Sequence, residues 1–171
     1  MKKLIEPCCA VRHMMQLRDA IGTKGTMEIE GYGDLSLTEL LPAILTRYAE
    51  TELLIAAPAL PDQATEIIEQ WMKKKWARRD GQGKLDVISH LTLIADLRRK
   101  KSPEASQWLK NNPFDNRLTL VDCKQPDTAI LLPDFAIIGP VNMRYGYHFD
   151  AEATGNHEKV AALWKKYAAI E

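Results

Sequence analysis

Apolar and polar residues follow two different periods along this chain, and both predict regular secondary structure. Met27 to Glu30 alternates in steps of two, the pattern of a strand with one buried face. Leu37 to Tyr48 places apolar residues every three or four positions, as an amphipathic helix does, and Ser36 begins a capping box at its start. Leu53 to Ala57 is a continuous apolar run of strand length. This part of the chain therefore predicts a strand, a helix and a buried strand.

The next segment predicts a β-α-β unit. Asp62 can cap a helix, Gly81 and Gly83 end this unit, and Leu85 to Ile94 has the composition of a second buried strand. The inner face of the helix would hold Ala64, Ile67, Ile68, Trp71 and Met72. A strand, a helix and a strand in this order form a right-handed crossover between parallel strands. We therefore expect an α/β fold with a mixed, largely parallel sheet flanked by helices.

The second half of the chain predicts short strands and a closing helix. Strands are expected at Leu118 to Val121, Thr128 to Leu132 and Phe135 to Ile138, with a tight turn at Pro133 and Asp134. Asn156 is a good helix cap. The helix after it would bury Val160, Leu163, Trp164 and Tyr167.

The first residues stand apart from this order of elements. Between Pro7 and Gly22 they carry a loose helical stripe of Cys8, Val11, Met14, Met15 and Leu17. The whole chain has 171 residues, a length that suits a single domain. We therefore expect an N-terminal helical extension at residues 1–24 and one α/β domain at residues 25–171.

Composition adds an uneven distribution of charge to this picture. Lys and Arg number 23, as do Asp and Glu, so the whole chain has no net charge at pH 7. Between Lys73 and Lys101, however, ten basic residues face only Asp80, Asp86 and Asp96, a net charge of +7. Such a stretch forms either a local basic surface for an anionic partner or the solvated end of a helix.

No segment predicts export, a membrane span or a bound metal. The start lacks the apolar core of a signal peptide, and no apolar run approaches the roughly 20 residues of a membrane helix. Three Cys residues, with Cys8 and Cys9 adjacent, cannot form a fully paired disulfide framework. The four His residues have no metal-ligand spacing. We expect reduced thiols, a cytoplasmic location, and no cofactor or metal.

The order of elements and one sequence segment resemble a half-unit of the phospholipase D superfamily. That family carries His-x-Lys on one strand, an Asp at the following turn, a second strand that ends in Gly-Ser-x-Asn, and then a Glu. The run from Asp127 to Asn142 aligns with this motif, and its matching segment is Ala136-Ile137-Ile138-Gly139-x-x-Asn142. The resemblance covers roughly residues 27–170 and implies a phospholipase D-like half-unit.

The resemblance also identifies the family residues that this chain lacks. Asp127 stands where the family has its nucleophilic His, and Ala129 stands where a Lys holds the phosphate oxygens. A carboxylate repels an anionic phosphodiester, and Ala has no donor for phosphate. Pro140 stands where the family has Ser, whereas Asp134, Gly139, Asn142 and Glu152 keep the family's residue types. We therefore expect a degenerate active site without catalytic residues, as in a pseudoenzyme.

Two groups of residues are candidates for binding an anion. The first follows the second strand of the β-α-β unit, where open α/β sheets bind ligands, and consists of Arg98, Arg99, Lys100 and Lys101. The second consists of Arg144 and His148, in the polar loop between Asn142 and Glu152. The alternative for that loop is a structural cover over the end of the sheet.

Two functions of different classes stay open. The first is a non-catalytic phospholipase D-like domain, a binding or scaffold module whose partner is an anionic ligand or nucleic acid. The second is an enzyme with remodelled phosphodiester or other hydrolytic chemistry in the loop from Asn142 to Glu152. The resemblance further implies a homodimer, because family members with a single half-unit pair about a two-fold axis.

Overall fold

The computed structural model describes residues 26–32, 44–45, 48, 50–57, 62–96, 111, 114–124, 126–139 and 148–170. For residues 26–32, 62–65, 67, 115 and 148–151 the description covers the backbone alone. The helical extension predicted at residues 1–24 and most of the helix predicted at 37–48 lie outside the described residues. No helix in the described ranges is both long enough and apolar enough to cross a membrane.

The described residues form nine strands and two α-helices, with a 3-10 turn at Asp115–Arg117. In chain order they are β1 (Thr26–Tyr32), β2 (Thr51–Ala57), α1 (Asp62–Lys73), β3 (Lys75–Ala77), β4 (Lys84–Asp86), β5 (Ile88–Ala95), β6 (Leu118–Asp122), β7 (Ala129–Leu132), β8 (Phe135–Ile138), β9 (His148–Thr154) and α2 (His157–Ala168).

Seven of the strands form the main sheet, in the order β1-β9-β8-β7-β2-β5-β6. The sheet is mixed, as expected, but the prediction that it is largely parallel was wrong. β2 pairs with β5 and β5 with β6 in parallel, whereas the other four pairs are antiparallel. The β-α-β unit supplies parallel pairs only. The chain then returns through the hairpin of β7 and β8, and β9 runs antiparallel to both of its neighbours.

The β-α-β unit forms as predicted between β2 and β5, with α1 as its crossover. Three of the five residues assigned to the inner face of α1 are buried, Ile68, Trp71 and Met72. The side chains of the other two, Ala64 and Ile67, are outside the described set. The buried residues of α1 pack with Leu53 and Ile55 in the larger hydrophobic cluster of the protein.

The single strand predicted from Leu85 to Ile94 was wrong, because two strands with different partners occupy this range. β4 pairs antiparallel with β3 in a separate two-stranded sheet, and β5 begins at Ile88 in the main sheet. Gly81 and Gly83, expected to end the unit, lie in the turn of this hairpin, with φ angles of 74° and 102°. Such angles suit a residue that lacks a Cβ atom.

The opposite face of the main sheet is covered by α2. Asn156 caps this helix as predicted, since its side chain accepts a hydrogen bond of 3.2 Å from the backbone N–H of Lys159. Val160 and Tyr167 are buried. The two remaining residues of the predicted inner face, Leu163 and Trp164, are half-buried. Trp164 also donates its indole N–H to the carbonyl of Leu132, at 2.8 Å.

Candidate functional site

Three positions aligned with the family motif, Asp127, Ala129 and Gly139, lie at one end of the main sheet, which we call the motif edge. The parallel strands β2 and β5 end there at Ala57 and Ala95. Thr128, which leads into β7, accepts a hydrogen bond of 3.2 Å from the N–H of Gly139, which follows β8. Because β7 runs antiparallel to β2, the start of β7 lies beside the carboxyl end of β2. This is the edge at which open α/β sheets bind ligands.

Asp127 is open to solvent at the motif edge. Its side chain is 81% exposed, and its carboxylate lies 3.6 Å from the ammonium of Lys166 on α2. An exposed ion pair of this kind contributes about 0–1 kcal/mol. The negative charge at the family's nucleophile position is therefore balanced by a positive one, which the sequence alone did not reveal.

Tyr167 ties α2 to the same segment. Its buried side chain donates a hydrogen bond of 3.4 Å from the hydroxyl to the backbone carbonyl of Asp127. Burial raises the pKa of Tyr167 above 10.0, and the negative charges of Asp127 and Cys123 raise it further. The hydroxyl at this place is therefore a neutral hydrogen-bond donor. The helical repeat predicted the burial of Tyr167 but gave no sign of its contact with the motif segment.

Ala129, which the motif alignment matches to the family's phosphate-holding Lys, is fully buried, with 0% exposure. It belongs to the smaller hydrophobic cluster, between the sheet and α2, together with Leu54, Ala56 and Leu131. Val160 and Tyr167 supply the helix side of that cluster. The position is therefore part of the core.

The remaining motif residues are separated by the structure. Gly139 has a φ of 133°, and its backbone N–H makes the hydrogen bond to Thr128 at the motif edge. Glu152 pairs with Lys159 at 3.7 Å. Asp134 lies in the turn at the opposite end of β7 and β8, where it accepts a hydrogen bond of 2.9 Å from the hydroxyl of Tyr48. Asn142 is outside the described residues.

Most of the candidate anion-binding residues cannot be placed. Arg98, Arg99, Lys100, Lys101 and Arg144 lie outside the described ranges, and for His148, at the start of β9, only the backbone is described. Their assignment to an anion site stays a prediction.

The basic stretch from Lys73 to Lys101 is divided by β5. Lys73 ends α1 and Lys84 begins β4, both at the amino end of β5. The eight residues of β5 then span roughly 23 Å to the motif edge. The basic residues from Lys73 to Lys84 thus lie at the end of β5 that is remote from the motif edge, and those after Asp96 lie outside the described residues.

His and acidic residues do not assemble into a metal site within the described part of the chain. His90 is half-buried, and its Nε2 lies 2.9 Å from the hydroxyl of Thr119. His157 is exposed at the start of α2.

No family model and no curated protein matches this sequence. Solved structures do match it. Polyphosphate kinase from Porphyromonas gingivalis aligns with a TM-score of 0.56 and 12% identity, over 91% of this chain and 25% of that chain. NucT from Helicobacter pylori aligns with a TM-score of 0.54 and 9% identity, over 85% of this chain and 95% of that chain. The archaeal chromatin protein TrmBL2, described with a novel mode of DNA binding, aligns over 99% of this chain and 63% of that chain. Its TM-score of 0.49, at 13% identity, is too low to support a shared fold.

These likenesses define a class of fold. NucT and the kinase share a phospholipase D-like fold, so the α/β architecture described above is similar to that of the phospholipase D superfamily. At 9% and 12% identity the likeness concerns the fold alone. The chain spans a quarter of the kinase chain and less than two thirds of TrmBL2.

Proposed function

We propose that this chain is a non-catalytic member of the phospholipase D superfamily that binds an anionic partner. The observation that carries the proposal is the burial of Ala129 at the position where the family holds phosphate with Lys.

A side chain that holds a ligand must reach the ligand's space. The methyl group of Ala129 instead fills the packing between β7 and α2, among apolar side chains on both elements. Protein interiors are close-packed, so this arrangement leaves no room for a lysine stem without a shift of α2. The phosphate-holding function of the position has thus been replaced by core packing.

Asp127 supports the same proposal at the nucleophile position. The family mechanism needs a neutral imidazole to attack phosphorus, whereas Asp127 is a carboxylate that pairs with Lys166. A carboxylate repels the phosphodiester anion, and the pair as a whole offers no net positive charge to attract it.

An anionic partner is supported by the distribution of charge. From Lys73 to Asp86 six basic residues face Asp80 and Asp86 alone, a net charge of +4 in a chain with no net charge overall. Local charge of one sign raises the encounter rate with partners of the opposite sign.

The catalytic part of the proposal is tested with the full-length protein and a chromogenic phosphodiester. We expect no turnover above buffer. Turnover that is lost on Asn142→Ala but kept on Lys124→Ala, an exposed control position, would instead support remodelled hydrolytic chemistry in the loop from Asn142 to Glu152.

A homodimer, as the resemblance implies, completes the proposal. Family dimers bring two motif strands together, and here that would place two copies of Asp127 near each other. Lys166 at 3.6 Å reduces their repulsion, so Lys166→Ala should weaken the dimer. Light scattering over a range of protein concentrations measures whether the dimer forms and whether Lys166→Ala weakens it. A protein that stays monomeric at high micromolar concentration would contradict this part of the proposal.

A further inference from the structure

We propose that the hairpin of β3 and β4 binds the phosphate backbone of double-stranded nucleic acid. This basic hairpin comprises Lys75 to Asp86, with Lys73 and Lys74 at its base. The inference deepens the proposed function by assigning a surface and a class of partner, and it rests on that function only for the anionic nature of the partner.

The basic hairpin lies at the edge of the main sheet opposite to the motif edge. Val87, between the hairpin and β5, accepts a hydrogen bond of 2.9 Å from the N–H of Thr51 at the start of β2. The hairpin is therefore attached at the amino ends of β2 and β5. It is a surface distinct from the motif positions at Asp127 and Gly139.

Three of the six basic residues from Lys73 to Lys84 make ion pairs. Lys73 pairs with Glu69 at 2.6 Å, Lys75 with Asp86 at 3.7 Å and Arg78 with Asp80 at 3.1 Å. The cations that make no ion pair within the described residues are Lys74, Arg79 and Lys84.

Two carboxylates at the base of the hairpin limit where an anion can bind. Glu50 directly precedes β2, and Asp134 accepts a hydrogen bond from Tyr48. Tyr48 in turn accepts a hydrogen bond of 3.1 Å on its backbone carbonyl from the indole of Trp76. These negative charges lie near the base, so we place two of the phosphate contacts on the turn and the outer face, at Arg79 and Lys84, and the third at the exposed Lys74.

The hairpin turn holds one conformation without help from a ligand. Asp80 accepts hydrogen bonds from the side chain of Arg78 and the backbone of Gln82. The N–H of Arg78 also donates to the carbonyl of Gly83, at 3.0 Å. The cations of the turn are thus presented on an ordered backbone, which lowers the entropy cost of binding.

The outer face of the hairpin carries charge without an apolar anchor. Trp76 and its cross-strand partner Leu85 are half-buried, and Trp76 packs against the larger hydrophobic cluster. The neighbouring pair, Ala77 and Lys84, is exposed. Protein partners usually need a buried aromatic or aliphatic anchor. The outer face therefore suits a phosphate backbone better than an acidic protein.

The two Trp side chains near the hairpin also argue against single-stranded nucleic acid. Single-strand binding relies on aromatic rings that stack on bases. Trp71 is buried, and Lys74 lies over both rings, 4.2 Å from the centroid of Trp71 and 5.3 Å from that of Trp76. Neither ring is presented to a base, whereas a two-stranded ribbon of this kind fits the major groove of a duplex.

The three unpaired cations set the expected salt dependence. If each neutralises one phosphate, the logarithm of the binding constant falls with the logarithm of salt with a slope of about −2.7. Affinity should then drop about 40-fold between 50 and 200 mM salt. Removal of two of the three contacts should reduce the slope to about −0.9, a drop of only about 3- to 4-fold.

The test is a fluorescence anisotropy titration of the full chain with a labelled 20-base-pair duplex at several salt concentrations. The variant Arg79→Gln/Lys84→Gln removes two exposed cations from the hairpin. The matched control Lys124→Gln/Lys165→Gln removes two exposed cations elsewhere, with the same change in net charge. We expect weaker binding and a slope near about −0.9 for the first variant, and the wild-type slope for the control.

Three results would overturn the proposal: no duplex binding by the wild-type protein at 20 mM salt, an equal loss in both double variants, or tighter binding of poly-glutamate or a single strand than of the duplex. None of these three results would change the outcome of the phosphodiester assay, so the two proposals can fail separately. Turnover of a diester together with hairpin-dependent binding would refute the non-catalytic function alone.

Discussion

Ala129→Lys restores the residue that the phospholipase D family uses to hold phosphate, and we expect it to destabilise this protein strongly. Ala129 has 0% exposure, so the new side chain must be forced into a filled core. Overpacking of this kind costs about 1–3 kcal/mol. Burying the amine in neutral form at pH 7 costs up to about 4.6 kcal/mol, at 1.36 kcal/mol for each unit below the usual lysine pKa of about 10.4. Together the two costs reach at most about 6–8 kcal/mol, a large part of the roughly 5–15 kcal/mol that stabilises a domain.

The pH dependence of this variant provides a second test of the same reasoning. Burial lowers the pKa of a lysine, so between the lowered value and about 10.4 the unfolded chain binds one more proton than the folded chain. Stability relative to the wild-type protein therefore rises with pH across that window. The destabilisation should be smaller at pH 10 than at pH 7.

Urea unfolding followed by Trp fluorescence measures both effects. Ala162→Lys makes the same chemical change at an exposed position of α2, where we expect a change within about 0.5 kcal/mol. If Ala129→Lys does not fold, Ala129→Ser still buries a hydroxyl there and should cost about 1–3 kcal/mol. A change at position 129 no larger than the control would refute the reasoning, because position 129 would then open into space that a lysine can fill.

Two further predictions concern the backbone before β2 and the contact of α2 with the motif edge. Glu50 has a φ of 57°, in the left-handed region, so Glu50→Gly should stabilise the protein by about 0.5–1 kcal/mol in urea unfolding; a loss of stability would contradict this. Tyr167→Phe should cost about 1 kcal/mol or less at pH 7, since the hydrogen bond to Asp127 is long at 3.4 Å. The raised pKa of Tyr167 means that the folded protein keeps a proton that the unfolded chain loses near pH 10, so wild-type stability falls above that pH. The Phe variant should lose less stability between pH 9 and 11, and equal losses would contradict the assignment.

The sequence predicted elements whose signals are local. The bounds of β8, the turn at Pro133 and Asp134, and the cap at Asn156 all follow from neighbouring residues and are confirmed. The pairing of β1 with β9 joins residues more than one hundred positions apart, and no local pattern encodes it. For this reason the relative directions of neighbouring strands were predicted less well than the strands themselves.

The hairpin of β3 and β4 shows a different limit of pattern reading. Lys75 to Ala77 looks like the solvated end of a helix, because charged residues surround it. It forms a strand because Trp76 is half-buried against the larger cluster and β4 supplies its hydrogen bonds. Packing of one aromatic side chain outweighs the weak preference of its neighbours for solvent.

The resemblance predicts which positions correspond to the family motif, but it carries no information on what surrounds them. Asp127 and Ala129 were recognised as replacements from the motif alignment. That Lys166 balances Asp127 and that Ala129 is core depended on how α2 packs, which motif spacing does not encode.

Under the proposed function, phosphate is attracted at the basic hairpin and is not cleaved at the motif edge. In the family, the same edge attracts phosphate and cleaves it. Here the carboxylate of Asp127 is balanced by Lys166, while three cations without an ion pair in the described residues gather on the hairpin. Roughly 23 Å of β5 separates the two edges, well beyond the Debye length of about 8 Å at physiological salt. A phosphate group held by Arg79 and Lys84 is therefore beyond the range of the charge on Asp127. Binding at the hairpin places no demand on the motif residues, which leaves position 129 free to serve the core.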